Sequence, residues 1–210
     1  MVPLISIVIP CRAGEGTDLT QESLLKQTFK DFEVHTVIDR HGRGAPCARN
    51  YGASFASGRY LLFSDNDICW VPEALETMLR VLQKLESFHS IDGWRVGYAY
   101  GGKLITDVPV SGTLGPAGNE PWHLENMLRR NIVDTGALML REAFPGWDES
   151  LKRLQDWDLW LTMLRNKWRG QWVGRVLYTT PYRRTGINFE GSGISFMEAR
   201  DIIRLKHNLP

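Results

Sequence analysis

Gly58-Arg59-Tyr60-Leu61-Leu62-Phe63-Ser64-Asp65-Asn66-Asp67 is the stretch that decides the fold. Tyr60 to Phe63 is a short apolar run of strand length, and a polar triplet begins one residue beyond it. A strand apolar on both faces belongs to a sheet covered by helices on either side.

Toward the N-terminus, Ile5-Ser6-Ile7-Val8-Ile9, stopped by Pro10, predicts a second buried strand. Residues 17–28 read as a helix with Leu19, Leu24 and Leu25 on its apolar side, and 32–38 as a strand with Asp39 at its C-terminal end. Residues 40–46, rich in Gly and Arg, read as a loop, and 47–57 as a helix ended by Gly58. Toward the C-terminus, Leu75, Met78, Leu79, Leu82 and Leu85 recur at helical spacing within 72–88. This order implies an α/β fold with a central, mainly parallel sheet flanked by helices. Ligands in such folds bind beyond the C-terminal ends of strands. Those ends carry Pro10-Cys11, Asp39 and Asp65-Asn66-Asp67.

The remainder is less regular. Residues 96–105 predict one or two strands, 109–121 a loop, 132–140 a strand, 154–166 an amphipathic helix, 186–193 a loop and 196–207 a terminal helix. No repeat or linker interrupts the 210 residues, so 1–210 reads as a single domain.

Composition excludes several classes. Twenty-five Lys and Arg against 24 Asp and Glu leave a formal charge of +1, with no basic excess for a nucleic-acid partner. Cys11, Cys47 and Cys69 are odd in number and form no C-x-x-C pair, which speaks against a disulfide framework or zinc site and for reduced thiols. The apolar run at 4–9 is too short for a signal-peptide core, and no stretch has the length of a membrane span. A soluble, cytoplasmic protein is expected, with contact at a membrane surface left open.

Four constellations carry chemistry. Asp65 and Asp67, just past a buried strand, can share a hard divalent cation such as Mg²⁺ or Mn²⁺; the alternative is a polar turn. Asp39 can accept hydrogen bonds from a base or ribose, or cap a turn. Arg49 can pair with phosphate or hold Asp39. Asp156 and Asp158, at a helix start, either complement its dipole or supply a general base. Trp157 and Trp160 suit core packing better than sugar stacking. There is no P-loop, no G-x-G-x-x-G after the first strand, no G-x-S-x-G elbow and no H-E-x-x-H.

In order, these segments resemble family 2 glycosyltransferases of the GT-A (Rossmann-like) fold. The likeness rests on Ile5 to Pro10, on Ser23 to Val34, on Arg43-Gly44-Ala45-Pro46-Cys47-Ala48-Arg49-Asn50-Tyr51-Gly52, on the run into Asp65-Asn66-Asp67, and on Gln155-Asp156-Trp157-Asp158-Leu159-Trp160-Leu161. The resemblance implies an inverting transfer of a sugar from a nucleoside-diphosphate sugar, by default a UDP-sugar, to a hydroxyl of a glycan, lipid-linked or protein-linked acceptor. Pro10, Cys11, Arg12, Asp39, Arg49, Asp65 and Asn66 would hold the nucleotide sugar, Asp65 and Asp67 a Mn²⁺ or Mg²⁺ ion, and Asp156 would be the catalytic base. Residues 1–100 would form the donor half and 101–210 the acceptor half. The family's usual Glu before the base is Gln155 here, and only nine residues separate Asp39 from Arg49. His207 lies late for the family's additional metal ligand; Asn188 or Glu190 could replace it. A sugar nucleotidyltransferase-like enzyme and a non-catalytic nucleotide-sugar-binding module of the same fold are the alternatives.

Overall fold

In a computed structural model of the chain, which describes residues 2–86, 93–106, 120–181 and 193–209, the β-branched run at the N-terminus forms strand β1 (Ile5–Arg12). The elements that follow are α1 (Asp18–Leu25), β2 (Phe32–Asp39), α2 (Ala45–Ser54), β3 (Tyr60–Phe63), β4 (Cys69–Trp70) and α3 (Ala74–Glu86). The second half adds β5 (Arg95–Thr106), α4 (Leu124–Arg129), β6 (Ala137–Leu140), α5 (Gln155–Arg165), β7 (Trp168–Pro181) and α6 (Phe196–His207).

The described strands make one sheet in the order β2-β1-β3-β6-β5-β7-β4. β1 pairs in parallel with β2 and β3, as the alternation of strands and helices requires. Beyond β3 the expected parallel run gives way to a mixed sheet. β6 lies antiparallel between β3 and β5, β5 and β7 are parallel, and β4 closes the edge antiparallel to β7.

β1 and β3 are covered on both faces, and Ile5, Ile7, Val8, Tyr60, Leu62 and Phe63 lose all contact with solvent. One apolar cluster runs from these strands through Tyr98, Leu138 and Trp160 to Ile203 on α6. Trp157 and Trp160 belong to this core, as their helical spacing predicts, and Trp160 stacks on Tyr98 at 4.4 Å. Each indole N–H reaches a carbonyl, Met127 O at 2.7 Å and Val133 O at 2.8 Å, so neither is buried unpaired.

Several boundaries move. The strand predicted at 132–140 is only Ala137–Leu140. β7, β4 and α4 have no counterpart in the sequence reading. The loops expected at 109–121 and 186–193, with Asn188 and Glu190, fall almost entirely outside the described residues. No helix among the described residues is long and apolar enough to cross a membrane.

One close packing positions the site. A Cβ on Gly52 of α2 would lie 2.4 Å from Val8 Cγ1 and 3.0 Å from Val37 Cγ2. Glycine therefore lets α2 settle onto β1 and β2. Arg49, three residues earlier and on the same helix face, is carried inward with it.

Candidate active site

The sheet topology gathers one edge from both halves of the chain. β6 runs antiparallel to β3 with Leu62 opposite Leu138, so the residues before β6 lie beside those after β3. β5 runs antiparallel to β6, with Tyr100 opposite Ala137, which brings Lys103 to the same edge. β7 sets Tyr178 opposite Lys103. Asp65, Asp134, Lys103 and Tyr178 meet there because of strand order alone.

Arg49 is the central group. Its Nη2 donates to Asp65 Oδ1 at 2.7 Å and its Nη1 to Gln155 Oε1 at 3.3 Å. The guanidinium lies 4.6 Å from the centroid of the Trp147 ring. Arg49 thus holds Asp65 and not Asp39. Its Nε is buried with no protein partner among the described residues. Thr135 Oγ1 donates to the other Asp65 oxygen at 3.3 Å, while Thr20 Oγ1 donates to the Asp65 carbonyl at 3.0 Å.

Asp39 anchors the loop that leads into α2. It accepts from Arg43 N at 3.0 Å and from Gly44 N at 2.7 Å. Burial works against its charge, but these donors, with the N–H groups of His41 and Gly42, hold its carboxyl below the ordinary range. Across the strand pair, Arg12 sits opposite Asp39 and is exposed, while Pro10 and Cys11 are buried behind it. Asn66 Nδ2 donates to Gly16 O at 2.9 Å and to Glu15 Oε2 at 3.2 Å, which closes the β1–α1 loop over the Cys11 thiol. The three cysteines are unpaired, and burial raises the Cys11 and Cys47 thiols.

Asp156 stands in the first turn of α5, next to the Gln155 that Arg49 holds. Leu154, just before the helix, takes a left-handed conformation (φ 56°), a strained backbone for a branched side chain at the point that aims Asp156. Asn131 Nδ2 donates to Asp156 Oδ2 at 2.6 Å and Trp157 N to Oδ1 at 3.0 Å. Burial raises the Asp156 carboxyl to about 6; the charge of Asp134 adds to the rise, and the two donors and Arg49 oppose it. Asp158, two residues on, faces the other way and is committed to structure. It takes Lys206 Nζ at 2.7 Å and His207 Nε2 at 2.7 Å, which docks α6 on α5.

Asn131, Asp134, Thr135, Lys103 and Tyr178 were missed by sequence reasoning. Lys103 is ion-paired with Asp134. Burial opposes both charges, but each holds the other ionised, so Lys103 is raised and Asp134 lowered. Burial lifts the Tyr178 phenol well above its ordinary value, and the charges of Asp134, Asp65 and Asp156 add to the rise. The one available signal was the polar pair Asp134-Thr135 interrupting the apolar run expected as a strand over 132–140.

Among the described residues, no group of three or more His, Cys, Asp or Glu side chains is placed to hold a metal ion. Asp65, whose two oxygens accept from Arg49 and Thr135, and Asp67 carry carboxylates, hard oxygen ligands of the kind that share Mg²⁺ or Mn²⁺ with substrate phosphates.

The sequence profile described as Glycosyl transferase family 2 matches residues 8–145. The chain belongs to this family. A relative, the UDP-Glc:alpha-D-GlcNAc-diphosphoundecaprenol beta-1,3-glucosyltransferase WfgD of Escherichia coli, is 28% identical over 105 residues, 39% of this chain and 42% of its own. The putative teichuronic acid biosynthesis glycosyltransferase TuaG of Bacillus subtilis is 24% identical over 152 residues, 71% of this chain and 57% of its own. Staphylococcus aureus TarS 1–349 in complex with UDP-GlcNAc superposes with a TM-score of 0.74 at 16% identity, covering 96% of this chain and 66% of that one. The mannosyltransferase PcManGT of Pyrobaculum calidifontis, in complex with GDP-Man and Mn²⁺, gives 0.60 at 16% identity, covering 99% and 62%. The fold of this family 2 chain is therefore GT-A. The chain spans between 23% and 59% of the length of the curated relatives it matches.

Proposed function

We propose that this chain transfers a sugar from a nucleoside-diphosphate sugar to an acceptor hydroxyl, with inversion, and that Asp156 is the general base. The observation that carries the reading is the Asp156 carboxylate itself, oriented by Asn131 and raised to about 6 at the strand edge that also holds Asp65. A base poised just below neutral pH is ionised when needed and still basic enough to take a proton.

Asp156 accepts the proton of the acceptor hydroxyl as that oxygen attacks the anomeric carbon. The new bond forms as the bond from that carbon to the diphosphate oxygen breaks. The nucleoside diphosphate leaves with the electron pair. Attack opposite the leaving group inverts the anomeric configuration in one step, with no covalent sugar–enzyme intermediate. Asp65, fixed by Arg49 and Thr135, and the β1–α1 loop, closed by Asn66, line the donor side with Pro10, Cys11 and Arg12. Asp39 serves that side by ordering the loop that carries Arg43 and Gly44. Residues 1–100 supply this donor half, and 101–210 the base and the acceptor side. Asp67, with Asp65, would hold a Mn²⁺ or Mg²⁺ ion, which would offset charge on the departing diphosphate. UDP is the proposed nucleotide, supported by the UDP-GlcNAc bound to TarS and the UDP-Glc named as the donor of WfgD.

Calorimetric titration with UDP, GDP and dTDP, with and without Mn²⁺, tests the donor side. Metal-dependent binding of UDP that is lost in Asp67→Ala is expected. Binding of no nucleotide would remove the reading.

A further inference from the structure

Asp156 opens into a cavity of about 450 Å³ whose walls also carry Lys103, Arg129, Arg130 and Arg200. Asp39, Asp65 and Asp67, the donor-side carboxylates, do not line it. The cavity is therefore on the acceptor side of the base, and it is rich in cations.

The three arginines differ from Lys103 in how they are matched. Lys103 is neutralised by Asp134 inside the site. Arg129 pairs with Glu125 at 2.7 Å and Arg130 with Glu120 at 2.8 Å, with the arginine side chains 74% and 60% exposed. The Arg129–Glu125 pair, open to water on both sides, holds little energy, and a better oxyanion can displace its glutamate; Arg130 holds Glu120 through both oxygens and has its remaining N–H groups to offer. The Arg200 side chain, on α6 and partly exposed, makes no hydrogen bond or ion pair among the described residues. It is the cation of this cavity with no carboxylate beside it, and its planar fork fits the oxygens of a phosphoryl group.

We propose that the acceptor carries a phosphoryl group, held by Arg200 with Arg129 and Arg130, and that this contact sets the accepting hydroxyl against Asp156. The proposal rests on Asp156 being the base. Two sources present the same chemistry: a lipid-linked glycosyl diphosphate and a water-soluble sugar phosphate. Arg129 at the end of α4, Arg130 just past it and Arg200 on α6 together suit a multiply charged group better than a single carboxylate, which one fork saturates.

The test uses the full chain with saturating UDP and Mn²⁺, so that the donor side is filled. The probes are a panel of hexosyl methyl diphosphates, the matching decyl diphosphates, and the matching neutral methyl hexosides. At least one diphosphate ester is expected to bind about tenfold or more tighter than its neutral hexoside, an advantage that shrinks as salt screens it. The advantage should fall by a similar factor in Arg200→Gln and in the double variant Arg129→Gln/Arg130→Gln, whose sites at the C-terminal end of α4 are exposed enough to spare the fold. Tighter binding of decyl than methyl esters assigns the lipid-linked source; equal binding assigns the soluble one. Equal affinity for neutral and phosphorylated probes in the wild type, or an advantage unchanged in both variants, overturns the proposal. UDP binding is measured first and separately. Its absence counts against the donor reading, and the ester-against-hexoside comparison, repeated without UDP, still decides this one.

Discussion

Arg49 Nη2 lies 2.7 Å from Asp65 Oδ1, and the same guanidinium reaches Gln155 at 3.3 Å. One side chain thereby couples the carboxylate after β3 to the residue beside Asp156 on α5, across the seam between the two halves of the sheet. Arginine is suited to this because its fork serves two acceptors in one plane, whereas the ammonium of lysine is a point charge. The Arg49 side chain is 7% exposed and the Asp65 side chain 39% exposed. Water therefore recovers part of what Asp65 loses when the pair is broken. Arg49→Lys should cost about 1–3 kcal/mol of stability, read by urea unfolding. Nucleotide affinity should fall as well. An unchanged unfolding midpoint would mean that the bridge is not made in solution.

Gly52→Ala pits two effects against each other. Alanine gains roughly 1 kcal/mol over glycine in a helix interior. Its methyl would stand 2.4 Å from Val8 Cγ1, on a β-branched side chain inside a strand covered on both faces. Overpacking of that kind costs about 1–3 kcal/mol, so the net should be destabilising. Because Arg49 rides on the same face of α2, nucleotide binding should weaken along with stability. Thermal unfolding and nucleotide titration of the variant check both.

Asp156 links activity to pH and stability in opposite senses. Its carboxyl is raised from 3.8 to about 6, so transfer should fall about tenfold per pH unit below about 6 as the base is protonated. A carboxyl with a raised folded-state pKa favours the fold when protonated. Its contribution is complete below about pH 3.8 and is lost as pH rises through about 6. Asp156→Asn should therefore be more stable than the wild type at pH 7 by roughly 1–3 kcal/mol, with the difference closing near pH 4. Unfolding at the two pH values measures it.

Asp158 is the neighbour that does structural work. Its side chain is 4% exposed and that of His207 is 2% exposed, and Lys206 completes the contact. Asp158→Ala should leave the buried His207 without its acceptor, with Lys206 still held by Asp148, and loosen α6, costing about 3 kcal/mol as other broken buried pairs do. Hydrogen exchange should rise along α6 before it rises in β1 or β3.

Much of this was legible in the sequence where a single local signal suffices. Tyr60–Phe63 and Phe196–His207 fall where the apolar runs and spacing put them, and α3 and α5 follow their leucines. Asp65, Arg49 and Asp156 were identifiable from their motifs. β7 was not, because Gly170 and Gly174 interrupt its pattern and its residues alternate poorly between buried and exposed. Lys103 and Tyr178 lie on β5 and β7, and Asp134 and Thr135 just ahead of β6; the order of these strands cannot be inferred from local periodicity. The antiparallel insertion of β6 between β3 and β5 is what brings them to Asp65. Arg49 illustrates the same limit: its type and place were legible, but its partner was not.

Release of UDP from a panel of UDP-sugars by the wild type and Asp156→Asn, with UDP binding measured on both, tests Asp156 as the base most directly. Turnover by the wild type with an inflection near pH 6 is expected. Asp156→Asn should lose about 10²-fold or more, with UDP affinity retained. Near-normal turnover by Asp156→Asn would contradict the assignment of the base.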